Sequence, residues 1–294
     1  METEGVRKAV IPVAGLGTRL LPITKSQPKE MLPVVDRPAI QYVVEEAIDS
    51  GVDSILMVTG RGKRAIEDYF DHAVELEHEL EARGKLQELE QIRHISNMAQ
   101  VYYVRQKAPR GLGDAIYQAR AFVNGDPFAV LLADDIISGP TPCLAQMEQV
   151  ARRFPGMVVA VMQVPREETG NYGIVEGTSV APGVWEVSHL VEKPDPADAP
   201  SNLAIVGRYI LTPGIFPILE HAKPGKNGEI QLTDAIQEML QFKKIYAYEF
   251  KGTRYDIGDG MGLLKANIAL ALKRPDMTVE LRRFLSETLE QLFE

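Results

Sequence analysis

The stretch RKAVIPVAGLGTRLLPITKSQPKEMLP, residues 7–33, decides how the chain folds. Its first part, RKAVIPVAG, is a short, nearly continuous apolar run that ends in glycine, which is typical of a strand buried on both faces of a parallel sheet. A helical pattern, AIQYVVEEAIDSG, begins after Pro38 and has Gly51 at its C-terminal cap. The order strand, loop, helix predicts the first unit of an α/β fold.

The same alternation continues along the chain, with the strand patterns SILMVTG, QVYYVRQ and FAVLLADD and the helical patterns DAIYQARAFV and CLAQMEQVARRF. We therefore predict a doubly wound, mostly parallel, Rossmann-like mixed sheet flanked by helices, in one domain over residues 1–294. Residues 62–95 are polar with helical spacing, which predicts a helical insertion packed outside the sheet. Residues 157–212 are rich in strand patterns. Residues 277–294 predict an amphipathic terminal helix with one apolar stripe, made of Val279, Leu281, Phe284, Leu285, Leu289 and Leu292.

Composition and charge exclude several classes of protein. The net charge of −9 argues against a nucleic-acid surface, and it makes any anionic ligand depend on local cations or a metal. The start of the chain lacks a signal-peptide pattern, and no apolar run reaches about 18 residues, so we expect a cytoplasmic protein without membrane contact. The single cysteine, Cys143, cannot form an intrachain disulfide and is expected in a buried helix.

The loop after the first strand predicts an anion site. In a doubly wound sheet, ligands bind at the carboxyl ends of the strands. Gly15 and Gly17 allow the backbone to approach an anion, and Thr18 adds a hydroxyl donor. Arg19 can fork onto phosphate oxygens, while Lys29 offers a mobile point charge. The alternative is a tight turn with solvated cations, but the joint pattern favours a triphosphate site.

A dinucleotide site is the competing interpretation of this loop. Its fingerprint needs three glycines, G-x-G-x-x-G, and a helix that starts at once. Here the third position is Leu20, and Pro22, Pro28 and Pro33 prevent an immediate helix. The sequence therefore does not support NAD binding.

The motif GLGTR followed by PKEMLP resembles the signature of the sugar nucleotidyltransferases, which join a nucleoside triphosphate to a sugar 1-phosphate and release pyrophosphate. The similarity extends from Lys8 to Leu272, in the family's order and spacing, through QKAPRGLGDAI, LLADDI, GNYGIVEG, EKP, APSNLAIVGRYIL, GEIQLTDAI and YDIGD. The run is most similar to the bacterial members that use UTP and glucose 1-phosphate. The resemblance thus implies UDP-glucose and pyrophosphate as products.

Nucleotidyl transfer requires little covalent chemistry from the protein. Catalysis therefore depends mainly on positioning the substrates and neutralising the charge on their phosphates. Mg²⁺ usually supplies part of this charge neutralisation, and it is bound by one or two carboxylates together with substrate phosphates. Asp134 and Asp135 follow the apolar run FAVLLA, and Asp256 lies in the predicted turn YDIGD. The resemblance implies that Asp134 and Asp256 bind Mg²⁺, whereas an Asp after a strand could instead cap the next helix, above all Asp135.

The resemblance also implies the other site residues. Beside the two aspartates, the catalytic cations are Arg19, Lys29 and Lys193. The nucleotide contacts are Ala14, Gly15, Gly17, Thr18, Gln106 and Gly111. The resemblance implies a sugar-binding half over residues 157–256. Its sugar phosphate contacts are Gly173, Glu192, Lys193, Gly207 and Glu229. The Gln106 amide has both donor and acceptor groups for a pyrimidine edge. Without the resemblance, Gln106 would be a solvated side chain and EKP a surface turn.

No histidine is expected to be catalytic. None of the five lies in a matched motif, namely His72, His78, His94, His189 and His221. A sugar 1-phosphate oxygen is already ionised, so it needs no base to become a nucleophile.

The sequence thus predicts a Mg²⁺-dependent transfer of the uridylyl group of UTP to glucose 1-phosphate. Two alternatives stay open, a thymidylyltransferase acting on the same sugar phosphate and a regulator that binds sugar nucleotides without catalysis. The intact set of Arg19, Lys29, Asp134 and Asp256 argues against the regulator. Because members of the family are oligomers, we expect a homo-oligomer, a dimer or tetramer. The helix at residues 277–294 is a possible interface, with intrachain packing as its alternative.

Overall fold

The computed structural model describes residues 5–225 and 228–293. Residues 1–4, where the predicted domain begins, and Glu294, where the predicted terminal helix ends, lie outside the described residues. The strands are β1 (Lys8–Val13), β2 (Pro33–Val34), β3 (Arg37–Pro38), β4 (Ser54–Thr59), β5 (Gln100–Arg105), β6 (Phe128–Leu131), β7 (Asp135–Ser138), β8 (Met157–Gln163), β9 (Gly173–Ala181), β10 (Val184–Glu192), β11 (Leu203–Leu211), β12 (Ile245–Glu249) and β13 (Thr253–Asp256).

In the first half of the chain, helices alternate with strands as the sequence predicts, whereas β9, β10 and β11 follow one another without an α-helix. The helices are α1 (Ala39–Asp49), α2 (Arg64–Phe70), α3 (Val74–Ala82), α4 (Leu86–Asn97), α5 (Leu112–Tyr117), α6 (Arg120–Val123), α7 (Cys143–Arg153), α8 (Ile215–His221), α9 (Leu232–Met239), α10 (Gly260–Ala271) and α11 (Thr278–Phe293). Short 3₁₀ turns occupy Thr18–Leu20, Ile23–Lys25, Lys29–Met31 and Arg166–Asn171. In the described residues, no helix combines the length and the apolar composition needed to cross a membrane.

A nine-stranded sheet forms the centre of the described structure, in the order β5-β4-β1-β6-β11-β8-β12-β10-β9. β1 pairs in parallel with β4 and β6, β4 with β5, and β8 with β12. The strands β10 and β11 run antiparallel to their neighbours in this sheet. The prediction of a mostly parallel, mixed α/β sheet is confirmed.

Helices cover both faces of the sheet, which explains the continuous apolar runs of its strands. Successive residues of β1 point to opposite faces, so Val10 joins one hydrophobic cluster while Ile11 and Val13 join the other. The first cluster contains side chains of α5, α8 and α9, and the second contains side chains of α1, α2 and α7. Cys143, the first residue of α7, is buried in the second cluster, as expected.

Two helical predictions need correction. The stretch 62–95 does not lie wholly outside the sheet, because α2 contributes Ile66 and Phe70 to the core while α3 and α4 are mostly exposed. The spacing of four residues between those two side chains is helical, but the surrounding charged residues conceal it. The pattern DAIYQARAFV forms two short helices, α5 and α6, rather than one.

The terminal helix α11 forms, but one residue of its predicted apolar stripe is misplaced. The spacing of Leu281, Phe284, Leu285, Leu289 and Leu292 keeps them on one side of the helix. Val279 lies about 200° around the helix from Leu281, since each residue turns the helix by about 100°. Val279 is accordingly 80% exposed.

A small antiparallel ribbon of β7 and β13 lies beside the main sheet. The sequence did not predict β7, and it predicted YDIGD as a turn. Helix α10 packs on this ribbon through Ala266 and Leu270, which contact a small cluster with Ile136 and Ile257. The pairing places Asp256 opposite Asp135, so two aspartate-bearing segments that are far apart in sequence meet.

Candidate active site

A cleft of about 510 Å³ opens at the carboxyl ends of β1 and β6. The position agrees with the general rule for ligands of doubly wound sheets. The predicted site residues that line it are Ala14, Gly15, Gly17, Thr18, Arg19, Lys29, Gln106, Gly111, Asp134 and Glu229. The fold therefore brings nearly all predicted nucleotide and phosphate residues to one place.

The glycine loop is shaped by Gly17. Its φ of 67° is a left-handed conformation that side chains rarely adopt, and its carbonyl accepts a hydrogen bond of 2.8 Å from the Thr24 hydroxyl. A β-carbon at Gly17 would lie 3.1 Å from Cγ2 of Thr24. A β-carbon at Gly15, in contrast, would meet nothing closer than Cε of Lys29 at 3.8 Å. The protein thus needs glycine at position 17, whereas a β-carbon at position 15 would make only an ordinary van der Waals contact with Lys29.

Lys29 and Asp134 form an ion pair across the cleft, with 2.6 Å between Nζ and Oδ2. Burial by itself lowers the pKa of Lys29, but attraction to Asp134 outweighs it, and the pKa is raised above its usual value. Burial opposes ionisation of Asp134 as well, yet Lys29 holds the pKa of that carboxyl below its usual range. Both groups are therefore charged near neutral pH, and the pair presents a fixed dipole to a ligand.

Arg19 lies against the turn that follows Asp256. A β-carbon at Gly258 would collide with Nη2 of Arg19 and would lie 2.9 Å from Oδ1 of Asp256. Among the described residues, the Arg19 guanidinium has no hydrogen-bond or ion-pair partner, and the side chain is exposed in the cleft. Its donors are thus available to an anionic ligand.

Glu30 and Lys63 form a buried ion pair at the site that the sequence did not predict. Nζ of Lys63 lies 2.7 Å from Oε2 of Glu30, and the two side chains are only 6% and 1% exposed. Burial raises the pKa of Glu30, although Lys63 opposes the shift. The other oxygen, Oε1, is buried and has no hydrogen-bond partner among the described residues, and Glu30 also lines the cleft. The pair anchors the turn that carries Lys29.

Gln106 is buried at the base of the cleft with a defined orientation. Its Nε2 donates to the carbonyl of Gly111 at 3.1 Å and to Oδ2 of Asp114 at 2.7 Å. Because both acceptors are oxygens, the amide nitrogen must face them, and Oε1 remains as the acceptor for another molecule. Gly111 has a φ of 104°, and a β-carbon there would lie 2.7 Å from the carbonyl oxygen of Ile230.

Asp256 is fixed next to Asp134 by the ribbon. The amide of Ile257 donates to the carbonyl of Asp134 at 2.9 Å. Asp256 accepts from the amide of Gly258 at 2.8 Å through Oδ1 and from Nη2 of Arg254 at 3.1 Å through Oδ2. The two predicted metal ligands therefore lie on adjoining backbone segments.

Asp135 does not cap a helix, because it begins β7. It is buried, and it accepts hydrogen bonds from Nε of Arg254 at 2.5 Å and from the amide of Gly207 at 3.0 Å. Burial raises the pKa of Asp135, and Arg254 opposes the shift. The amide of Gly207 is thus occupied, and a β-carbon at Gly207 would lie 2.5 Å from Oδ2 of Asp135.

A fully buried arginine supports this region from behind. Arg208 pairs with Glu46 at 2.7 Å and donates to the carbonyls of Leu132, at 3.2 Å, and Asp135, at 2.7 Å. These carbonyls flank Asp134 in the chain, so Arg208 fixes the backbone that presents this carboxylate. The sequence offered a single signal, an arginine within the otherwise apolar and small-residue strand LAIVGRYIL.

Three of the predicted sugar residues lie together, namely Gly173, Glu192 and Lys193. Oε2 of Glu192 accepts from the Thr233 hydroxyl at 2.7 Å, and a β-carbon at Gly173 would lie 3.2 Å from the same oxygen. Lys193 has a φ of 47°, and its Nζ lies 3.6 Å from Oε1 of Glu192. Of the five predicted sugar residues, Glu229 is the one that lines the cleft described above, where it lies against Gly111.

The donor set of Asp134 and Asp256 fits a hard divalent cation. Both supply carboxylate oxygens, and the part of the chain that the structure describes holds no group of three or more His, Cys, Asp or Glu side chains suited to a metal. A Mg²⁺ ion commonly takes one or two carboxylates and completes its octahedron with phosphates and water. The residues present therefore fit Mg²⁺ together with a phosphate ligand, and they do not form a complete protein cage.

Comparison with known proteins agrees with this geometry. The family model "Nucleotidyl transferase" matches residues 8–272. The chain is 48% identical over 286 residues to a UTP–glucose-1-phosphate uridylyltransferase of Bacillus subtilis (strain 168), covering 97% of this chain and 98% of that protein. A crystal structure of UDP-glucose pyrophosphorylase complexed with UDP-glucose is 47% identical, with a TM-score of 0.83, and the match covers 92% of this chain and 100% of that chain.

A more distant structure shares the fold alone. A putative glucose-1-phosphate thymidylyltransferase from Bacillus anthracis is 23% identical, with a TM-score of 0.70 over 90% of this chain and 94% of that chain.

The fold and the cleft define a nucleotide-dependent transferase. The chain belongs to the nucleotidyl transferase family.

Proposed function

We propose that the chain transfers the uridylyl group of UTP to α-D-glucose 1-phosphate, giving UDP-glucose and pyrophosphate. The observation that carries the proposal is the cleft in which a glycine loop, two cations and the Lys29–Asp134 pair meet at the carboxyl edge of the sheet. The names of relatives at 47–48% identity support the choice of substrates. UTP is an intracellular metabolite, so we also propose a cytoplasmic enzyme.

The triphosphate is held by groups that are already in place. The loop from Ala14 to Thr18 offers backbone amides to the phosphates. The Arg19 guanidinium donates bidentate hydrogen bonds to phosphate oxygens, and Lys29 adds a positive charge. A phosphate oxygen of glucose 1-phosphate attacks the α-phosphorus in line, the bond from that phosphorus to the β-phosphate bridging oxygen breaks, and pyrophosphate leaves with the electron pair. No base is needed, since the attacking oxygen is ionised. Positioning of the two substrates and neutralisation of the phosphate charge account for the rate enhancement.

The base is recognised by Gln106. Its oriented amide leaves Oε1 as an acceptor, and N3–H of uracil is the one ring donor that a pyrimidine of this type presents. Gly111 allows the ring to lie against the backbone. On the sugar side, Glu192 and Glu229 accept from hydroxyls, Lys193 binds the sugar phosphate, and Gly173 and Gly207 contact the sugar phosphate.

Asp134 and Asp256 would hold Mg²⁺. When bound, the ion neutralises charge on the phosphates and orients them. The chain's own contribution is to hold the two carboxylates close together. Lys29 keeps the Asp134 carboxylate ionised, and Arg254 and the pairing of β7 with β13 fix Asp256 beside it. We further propose that the enzyme self-associates through α11.

The test is pyrophosphate release across a panel of nucleoside triphosphates and sugar 1-phosphates, with and without Mg²⁺. UTP should exceed dTTP in kcat/KM, and most of the gap should reappear between UTP and dUTP. A missing methyl in a pocket is worth only about 1–3 kcal/mol, whereas a site built to bond a hydroxyl rejects its absence more strongly.

Gln106→Ala should weaken the use of UTP while pyrophosphate binding stays nearly intact, because the amide faces the base. Equal use of UTP and dTTP would contradict the proposed specificity and favour the thymidylyl alternative. Binding of UDP-glucose without turnover of any pair would favour the regulator.

A further inference from the structure

Two loops beside the cleft carry an excess of positive charge. Residues 60–64, GRGKR, and residues 105–110, RQKAPR, hold three cations each and no acidic residue, in a chain with a net charge of −9. Lys63 is paired with Glu30, and Arg64 lies 3.4 Å from Asp68. The remaining four side chains are exposed and have no hydrogen-bond or ion-pair partner among residues 5–225 and 228–293, namely Arg61, Arg105, Lys107 and Arg110. We call these four residues the basic rim.

The basic rim borders the nucleotide cleft. Its two loops follow the adjacent parallel strands β4 and β5, and the amide of Gln106 donates to the carbonyl of Thr59 at 2.9 Å. Lys107 follows Gln106, and Arg110 precedes Gly111, so each has its Cα about 3.8 Å from that of a residue that lines the cleft. In the other loop, Gly60 lies against Ala14, another lining residue, with a β-carbon at Gly60 placed 2.9 Å from the Ala14 carbonyl oxygen.

This concentration of charge has no structural use within the described chain. Neighbouring cations without counterions repel one another, and within the described residues none of the four side chains forms a hydrogen bond or ion pair that would stabilise the two loops. Meanwhile, the overall charge of −9 repels an approaching polyanion. A positive border around a cleft reverses that effect locally, because fields in clefts concentrate ligands of opposite charge.

We propose that the basic rim is an electrostatic docking surface that attracts the phosphate chain of a nucleoside triphosphate towards the cleft without contacting it in the bound state. The inference rests on the proposed function, since it takes UTP as the anion. It assigns to these four residues a role separate from that of Arg19 and Lys29, which bind the phosphates directly. The two roles differ in the distance over which the cation acts on the phosphates. An attraction through water is screened by salt, whereas a direct charged hydrogen bond is screened much less.

The experiment compares two double variants with equal loss of charge. The first is Lys107→Gln with Arg110→Gln. The control is Arg153→Gln with Lys243→Gln, two exposed cations at the opposite edge, where β8 and β12 begin. Isothermal titration calorimetry measures the Kd for UTP in the presence of Mg²⁺ at ionic strengths of about 0.01 M and 0.15 M, where the screening lengths are about 30 Å and 8 Å. Uridine serves as the uncharged probe.

For a ligand charge of −2 about 12 Å away, screened attraction in water predicts that the rim variant weakens UTP binding about fivefold at 0.01 M and less than about twofold at 0.15 M. Uridine binding should not change, and the control variant should bind UTP like the unaltered enzyme. Equal weakening at both ionic strengths would indicate direct contact and overturn the proposal, as would weakened uridine binding or a control variant that behaves like the rim variant. UTP binding with this salt dependence but without uridylyl transfer would contradict the proposed function and leave the basic rim supported.

Discussion

Asp134 is the residue on which most of the proposed chemistry depends. Its side chain pairs with Lys29, its carbonyl accepts from Ile257, and Arg208 fixes the carbonyls on either side of it. Replacing Asp134 or Asp256 by Asn keeps the shape and removes the charge. We expect each variant to lower turnover at least about 100-fold, as when one electrostatic element of a transition state is lost. Pyrophosphate release at saturating substrates measures the effect.

The control for these variants is Asp49→Asn, because Asp49 is exposed at the end of α1, far in sequence from both motifs. It should have normal turnover. Circular dichroism should show that all three variants fold. Titration with Mg²⁺ separates metal binding from other roles, and near-normal turnover of Asp134→Asn or Asp256→Asn at low Mg²⁺ would contradict the assignment of these carboxylates.

At the level of single residues, the sequence predicted the members of the cleft but not their partners. Asp134 closely follows β6, while Arg19 and Lys29 belong to the loop that follows β1. All three lie in recognisable motifs, so their position at the sheet edge was predictable. Glu30 and Lys63 are 33 residues apart, and Glu46 and Arg208 are 162 residues apart. Charged residues are normally exposed, so nothing local indicates that Glu30, Lys63 and Glu46 are buried, and only its place in an apolar strand marks Arg208. Such pairs depend on how distant segments pack.

At the level of elements, the ribbon of β7 and β13 was the main omission. Each strand has four residues, and polar side chains interrupt both, so neither has the apolar run that marks the buried strands of the main sheet. Its consequence for the site is large, because the register places Asp256 opposite Asp135. Arg254 then bridges the two carboxylates, at 2.5 Å from Asp135 and 3.1 Å from Asp256.

We predict that Arg254→Met destabilises the protein by about 3–5 kcal/mol, because it leaves the buried Asp135 carboxylate unpaired and next to another acid. Adding Asp135→Asn should recover at least about half of that loss, since an amide oxygen can still accept from the Gly207 amide. Urea denaturation of the two single variants and the double variant measures the coupling. Losses that simply add in the double variant would show that the ion pair does not hold the ribbon.

For the whole molecule, the alternation of strands and helices was sufficient to predict the fold class. Strands buried on both faces leave long apolar runs, and the helices between them show one apolar side each. The order of the strands was not predictable in the same way. β11 lies between β6 and β8, so the sheet interleaves segments that are far apart in sequence, and only tertiary packing decides that order.

The last helix of the chain leaves apolar surface uncovered. Phe284, Leu289 and Leu292 are 60%, 56% and 73% exposed, and a groove of about 570 Å³ between α10 and α11 is lined by Ile268, Leu281 and Phe284 among others. Half-buried Leu281 and Leu285 show that this side of α11 meets its own subunit only in part. Burying one such side chain is worth roughly 1.5–3 kcal/mol, so a second copy of the chain would gain by covering the stripe.

We therefore predict that deleting residues 277–294 lowers the mass measured by light scattering, and that Phe284→Asp together with Leu289→Asp does the same by placing charge in the interface. Val279→Asp is the matched control, because Val279 is 80% exposed but lies on the other side of the same helix. It should leave the assembly unchanged. An assembly that survives both the deletion and the double variant would exclude α11 as the interface, and an equal effect of all three changes would indicate loss of the helix rather than of one face. Turnover per chain should persist in the smaller species, since the cleft lies within one chain and is lined by no residue of α11.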